Sequence, residues 1–292
     1  MPDSAAGWNS LRLQSTAPPL YPPAPRPDPP APRPDPPAPR PDPPAPRPGP
    51  PAPRPASPLP FSFIPPAPIA LPAPDCEVCR GPVRPGFARC YQCGRHHLLG
   101  PGLLADAVVP ISYAIKGTAF AEHLWRYKAW SAPAPSARAS LLALLLVFLT
   151  DHGPCVWRHA GMPPPGRLAV VPTGAGRLGP HPLLSLVSPY LRLSACPMTI
   201  RPGRQGRDLD LDRFQVGQVP VGASVLLLDD TWVSGASAQS AAAALKQAGA
   251  RHVAVVVLGR HVNPADPAAA ALLAGLAPAP YDPSTCAVHR PE

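Results

Sequence analysis

SVLLLDDTWVSGASAQSAAAALKQAGARHVAVVVLGR, residues 224–260, is the stretch on which the fold turns. Val225 to Leu228 is a continuous apolar run, as expected of a strand buried on both faces of a parallel sheet. Two carboxylates, Asp229 and Asp230, close the run, and a short loop leads into an alanine-rich helix from about Ala236 to Ala248. Gly249 ends that helix, and His252 to Leu258 supplies the next strand. Strand, loop, helix and strand in this order form a parallel α/β unit. Open sheets of this kind bind ligands at the carboxyl ends of their strands, where Asp229 and Asp230 lie. In the loop, Val233, Ser234, Gly235, Ala236 and Ser237 bring small side chains, hydroxyls and backbone N–H groups to a helix N-terminus, which suits a phosphate.

Outward from this unit the composition divides the chain. Of its 53 prolines, 30 fall in residues 1–74 and 23 in the other 218, so only the second part has the composition of a folded interior. That part is long enough to bury a core, and the first is not. The net charge of +9 divides too: residues 1–74 hold 6 Lys+Arg against 4 Asp+Glu, leaving 20 against 13. A mildly basic folded part favours phosphorylated ligands. No dense Lys/Arg run with interleaved aromatics is present to point to nucleic acid.

The heptapeptide PPAPRP plus Asp, Gly or Ala repeats from Pro22, Pro29, Pro36, Pro43 and Pro50. Proline at this density forbids helix and sheet pairing, so residues 1–74 are expected to form a disordered, polyproline-like extension. It would serve either as a tether or as a ligand for a proline-recognising domain. Met1 to Leu20 lacks a charged region followed by an apolar stretch, so no secretory signal is expected.

Seven cysteines in such a chain argue for a reducing, cytoplasmic compartment and against a disulfide framework. Cys76, Cys79, Cys90 and Cys93 form C-x2-C-x10-C-x2-C, and two such knuckles aim four thiolates at one point, as in a structural Zn2+ site. Gly81, Gly86 and Gly94 stand where the turns would want them, and His96 or His97 could replace a thiolate. Cys286 and His289 form a C-x2-H pair near the end, a weaker zinc signal, and Cys155 and Cys196 have no partner in sequence. Leu141 to Leu149 is strongly apolar but bounded by Arg138 and Asp151, and reads as a buried helix too short to enter a membrane.

LLLDDTWVSGAS resembles the phosphoribosyl-pyrophosphate (PRPP) motif of type I phosphoribosyltransferases. With the knuckle ahead of it, and with PISYAIKG and LWRYKAW (Pro110 to Trp130) and LAVVPTGAGR (Leu168 to Arg177) between, residues 76–260 are similar to the ComF family of competence-associated phosphoribosyltransferase-like proteins. Thr231 and Trp232 depart from the family's usual aliphatic pair, and Val233 stands where threonine is frequent.

The resemblance implies a phosphoribosyltransferase-like α/β domain over residues 101–292, preceded by a zinc knuckle over 75–100. Asp229 and Asp230 would bind ribose with Mg2+, and Val233 to Ser237 its 5-phosphate. Thr173, Gly174, Ala175, Gly176 and Arg177 would contact pyrophosphate, and Lys128 sits where the family has a recurrent lysine. The segment RPGRQGRDLDLDRF, residues 201–214, would form a hood, with Arg201, Arg204, Arg207 and Arg213 toward the pyrophosphate. The implied activity is Mg2+-dependent phosphoribosyl transfer to an unidentified acceptor. The alternative is a non-catalytic protein that binds PRPP or a nucleotide and serves DNA uptake or processing.

Overall fold

Continuous apolar runs form a strand only where both faces are covered, and three such runs make the centre of this protein. The fold, given by a computed structural model, is described for residues 63–65, 75–128, 134–173, 181–204, 206–276 and 280–288. After a knuckle and helix α1 (Tyr91–Leu99) come β1 (Ala107–Ile115), α2 (Ala119–Arg126), α3 (Ala134–His159), β2 (Arg167–Val170), α4 (Pro182–Val187) and β3 (Ser194–Ala195). A hairpin of β4 (Met198–Ile200) and β5 (Phe214–Val216) precedes β6 (Ser224–Trp232), α5 (Ala236–Gln247), β7 (His252–Val262) and α6 (Ala269–Gly275). The main sheet has the order β1-β7-β6-β2-β3 and every pairing in it is parallel. The protein is therefore α/β, a five-stranded parallel sheet flanked by helices.

The pleat of the sheet sorts its side chains into two layers. Leu226 and Leu228 of β6 join Ala254, Val256 and Leu258 of β7 against Leu141, Leu144, Leu145 and Phe148 of α3. Val225 and Leu227 join Val253, Val255 and Val257 against Ala238, Ala241, Ala242 and Leu245 of α5. Each buried leucine or valine here contributes about 1.5–3 kcal/mol relative to exposure. The alanine face of α5 lets that helix lie close on the sheet.

Three boundaries differ from the sequence reading. β6 does not stop at Leu228: its ladder with β7 runs on through Thr231↔Gly259 and Trp232↔Arg260, so Asp229 and Asp230 are strand residues. β7 likewise extends to Val262, because β1 pairs with it as far as Ile115↔Val262. The apolar run Leu141 to Leu149 is the middle of α3, which spans 26 residues across both Arg138 and Asp151. By length and composition α3 could cross a bilayer, but here its Leu141, Leu144, Leu145, Phe148 and Val156 are buried against the sheet.

A short piece of the proline-rich extension is structured. Ile64 is fully buried, its carbonyl accepts from Tyr281 N at 2.8 Å, and the Pro65 carbonyl accepts from Ser112 Oγ at 2.6 Å. Phe63 stacks on His123 at 4.6 Å. The heptapeptide repeats, residues 22–56, lie outside the described residues.

Candidate ligand-binding site

β2 and β6 are neighbours, but their crossovers leave in opposite directions. From β2 the chain passes through α4, in the layer of Leu183 and Val187, outward to β3. From β6 it passes through α5, in the opposite layer, to β7. Adjacent strands whose connections diverge in this way make a topological switch point, where loops at the carboxyl ends separate and ligands bind. Val171 N still donates to Leu228 O at 2.9 Å, so Pro172 and Thr173 leave the sheet beside Asp229 and Asp230. Thr173 is half-buried there, and Gly174, Ala175, Gly176 and Arg177 lie outside the described residues.

The two carboxylates have different surroundings. Asp230 is buried, and one of its oxygens, Oδ2, accepts from Tyr127 Oη at 2.6 Å and pairs with Lys128 Nζ at 2.7 Å. Asp229 is half-buried and its Oδ1 accepts from the Asp230 backbone N–H at 2.9 Å. Burial pushes its carboxyl up to about 8, the Asp230 charge adds to the shift, and Lys128 opposes it. The Lys128 read from the sequence thus belongs to the acidic pair, and Tyr127 is a partner that only the structure reveals.

The loop after β6 is fixed by one glycine and one indole. Gly235 caps α5 with φ of 80°, in the left-handed region that favours glycine, and a Cβ there would fall on the buried Trp232 ring. Ser234 Oγ accepts from Ala236 N at 3.3 Å, and Val233 is exposed.

The hood segment is the connection of the β4–β5 hairpin, and it closes on this loop. Arg213 is 4% exposed: its Nη1 donates to Ser237 Oγ at 3.1 Å and its Nη2 to the Asp208 carbonyl. Asp210 N donates to Ser240 Oγ at 2.9 Å, one turn further along α5. Arg201, Arg204 and Arg207 are exposed, with Arg204 shared between Asp210 at 3.5 Å and Asp212 at 3.8 Å. Of the loop's four arginines, the one turned inward is therefore Arg213. Among the described residues, two buried donors beside the loop after β6, Arg213 Nε and Trp232 Nε1, have no hydrogen-bond acceptor. Such groups call for an acceptor beyond those residues.

The knuckle lies behind the loop. The sulfurs of Cys76, Cys79, Cys90 and Cys93 lie within 4.8 Å of one another, a set that could hold a metal ion such as zinc. Hydrogen bonds from Cys79, Cys90 and Cys93 hold Cys76 well below the ordinary thiol range, and the same sharing pushes Cys79 and Cys93 up. Four thiols so placed ionise together only around a cation, and four sulfurs are the donor set of a closed zinc site. The cluster assembles without His96 or His97. Gly86 takes the left-handed conformation at φ of 85°, as a turn there would want, but Arg80 also takes it at φ of 54°, and Gly94 sits inside α1.

Gly81 serves another purpose, because a Cβ on it would fall on the Arg260 guanidinium. Arg260, from β7, is buried, and its Nη1 lies 3.0 Å from the Trp232 carbonyl, 3.1 Å from that of Val233 and 2.6 Å from that of His261. Burial penalises the cation, but Cys79, Cys90 and Cys93 together outweigh that and push its titration up. Arg260 thus ties the cysteine cluster to the start of the loop after β6. No spacing in the sequence singles it out. Its one local signal is a lone arginine at the end of an apolar strand.

Fold and site together define an open parallel α/β protein with a switch-point site and a four-cysteine cluster behind it. No family model matches the chain, and no curated protein matches it.

Proposed function

We propose that this is a ComF-type, phosphoribosyltransferase-like protein that binds PRPP at the switch point and transfers its phosphoribosyl group to an unidentified acceptor with Mg2+. The observation that carries the reading is that the Ser234–Ser237 loop and the loop opened by Thr173 follow adjacent strands with diverging crossovers. The two buried donors without acceptors, Arg213 Nε and Trp232 Nε1, also favour an anion at this loop.

In this reading the 5-phosphate takes the α5 N-terminus with Ser234 and Ser237, and the Thr173 to Arg177 turn takes pyrophosphate. Asp229 and Asp230 orient the ribose hydroxyls, and a bound Mg2+ would neutralise the departing pyrophosphate. A divalent cation also favours the ionised form of Asp229, which burial opposes. Positioning and charge neutralisation supply the catalysis, so no nucleophilic side chain is required. The cytoplasmic setting and a role beside DNA-uptake machinery belong to the same proposal.

One observation favours a second reading, a PRPP- or nucleotide-binding accessory protein without turnover. Asp230 already has Tyr127 and Lys128 on one oxygen, and it must share or exchange them to engage ribose. Calorimetric titration of the full chain with PRPP and Mg2+, together with an assay for pyrophosphate release across an acceptor panel, separates the readings. Heat with release supports transfer, heat without release supports the accessory role, and no heat from the parent chain refutes both.

A further inference from the structure

Between α3 and the C-terminal segment, three metal-ligating side chains converge that no motif in the sequence connects. His152 and Cys155 lie one turn apart on α3, and Cys286 belongs to the C-terminal segment 280–288. Their candidate ligand atoms lie within 4.8 Å of one another, and Cys155 Sγ is 4.0 Å from His152 Nδ1. Cys286 is fully buried, His152 is 5% exposed and Cys155 is half-buried.

The histidine is already arranged as a ligand. Its Nε2 lies 2.8 Å from the Pro283 carbonyl oxygen, which can only accept, so Nε2 carries the proton. In the neutral ring this leaves the lone pair on Nδ1, the nitrogen that faces Cys155. Metal-bound histidines use this device, in which the outer N–H on a backbone carbonyl fixes the tautomer and the ring orientation. Phe148 tilts against the same ring at 5.5 Å and limits its swing. No disulfide joins Cys155 to Cys286, and both are reduced thiols.

We infer that His152, Cys155 and Cys286 form a second metal site, separate from the four-cysteine cluster, for a thiophilic divalent cation of the zinc class. Two sulfurs and one imidazole match that ion, and three protein ligands leave a fourth position for water or another small donor. The ion would fasten the C-terminal segment to α3. The Tyr281 backbone N–H of that segment in turn donates to the Ile64 carbonyl, so the site would hold three distant stretches of chain together. The C-x2-H reading of the C-terminus is thereby redirected: Cys286 turns toward α3, and His289 lies outside the described residues.

Metal analysis of the full chain, purified under reductant with zinc and without chelator, tests the inference. About two equivalents are expected, falling to about one in a Cys155→Ser, Cys286→Ser double variant and to about one in a Cys76→Ser, Cys79→Ser variant. Should either variant fail to fold, Co2+ titration of the parent chain decides. A second equivalent with about half the thiolate-to-metal absorption of the first, two sulfurs against four, supports the site. Saturation at one equivalent overturns it, as does a stoichiometry that the Cys155 and Cys286 substitutions leave unchanged or a Cys155–Cys286 disulfide in the reduced preparation.

Discussion

Arg260→Met is the substitution that bears most directly on the link between the knuckle and the loop after β6. Methionine has nearly the length of arginine and keeps the apolar packing of the stem, but it removes the charge and every donor. Three carbonyls, those of Trp232, Val233 and His261, then lose the guanidinium at 3.0, 3.1 and 2.6 Å, and the cysteine cluster loses its adjacent cation. A buried acceptor left without a donor costs about 1–3 kcal/mol, and breaking a buried charge pair costs about 3–5 kcal/mol. These losses share one side chain and do not add, so the expected destabilisation is about 4 kcal/mol.

At about 2–4 °C per kcal/mol for a domain of this size, the melting temperature falls by roughly 8–16 °C. The assay is thermal and urea unfolding of parent and variant at saturating zinc, with a chelator competition run alongside. Zinc affinity should fall at least about tenfold, since a loss of 1.4 kcal/mol at the cluster already amounts to that. Arg260→Lys divides the effect, because it keeps the charge near Cys79 but loses the planar fork, and about half the destabilisation should return. A methionine variant within about 1 kcal/mol of the parent, with zinc affinity unchanged, refutes the strut.

The remaining expectations concern the loop, the acidic pair and the N-terminal boundary. Gly235→Ala places a side chain at a φ of 80° and against Trp232, and should cost about 2–4 kcal/mol in urea unfolding; a cost below about 1 kcal/mol would mean that the loop is free to rearrange. Because the folded state raises Asp229 from 3.8 to about 8, it binds a proton that the unfolded chain has released, so this group's contribution to stability declines as pH rises across that window. Asp229→Asn should remove that decline, and a carboxyl titration by NMR with its midpoint near 4 would contradict the assignment. Removing residues 1–74 should cost about 2–4 kcal/mol more than removing 1–62, because Ile64 is buried and its carbonyl and that of Pro65 are bonded; equal stability of the two truncations would show that Ile64 contributes nothing.

The centre of the fold was legible because its signal is local. A run such as Val225 to Leu228, a glycine at 249 and a second run from His252 admit one arrangement, and the sheet has it. The end of β6 was not legible. Asp229 and Asp230 are poor strand formers that interrupt the pattern before Thr231 and Trp232, and the strand is carried across them by β7, a partner that no local pattern names. The length of α3 was hidden for a similar reason. Arg138 and Asp151 looked like stops to an apolar run, yet Arg138 reaches outward to the Tyr127 carbonyl at 3.1 Å while the same helix continues beneath. The four-cysteine cluster was visible in spacing alone. Tyr127, Arg260 and the His152 cluster were not, since each acquires its partner from an element 27 or more residues away.

The inward arginine of the hood gives the site a definite electrostatic logic. Arg213 is held by Ser237 and by the Asp208 carbonyl, both of them neutral acceptors, and among the described residues its Nε has none. A buried guanidinium with only neutral partners is under-compensated, whereas an anionic oxygen forms bonds of roughly twice their strength. A phosphate at the α5 N-terminus would therefore compete for Ser237 and also supply the charge that Arg213 lacks. The exposed arginines stand differently. Arg204 is already shared by Asp210 and Asp212 and is half exposed, so screening leaves it little to give a ligand unless the hairpin connection moves. On these grounds Arg213, and not Arg201, Arg204 or Arg207, is the hood cation on which anion affinity should chiefly depend. Its contribution should persist at salt concentrations that abolish the others'.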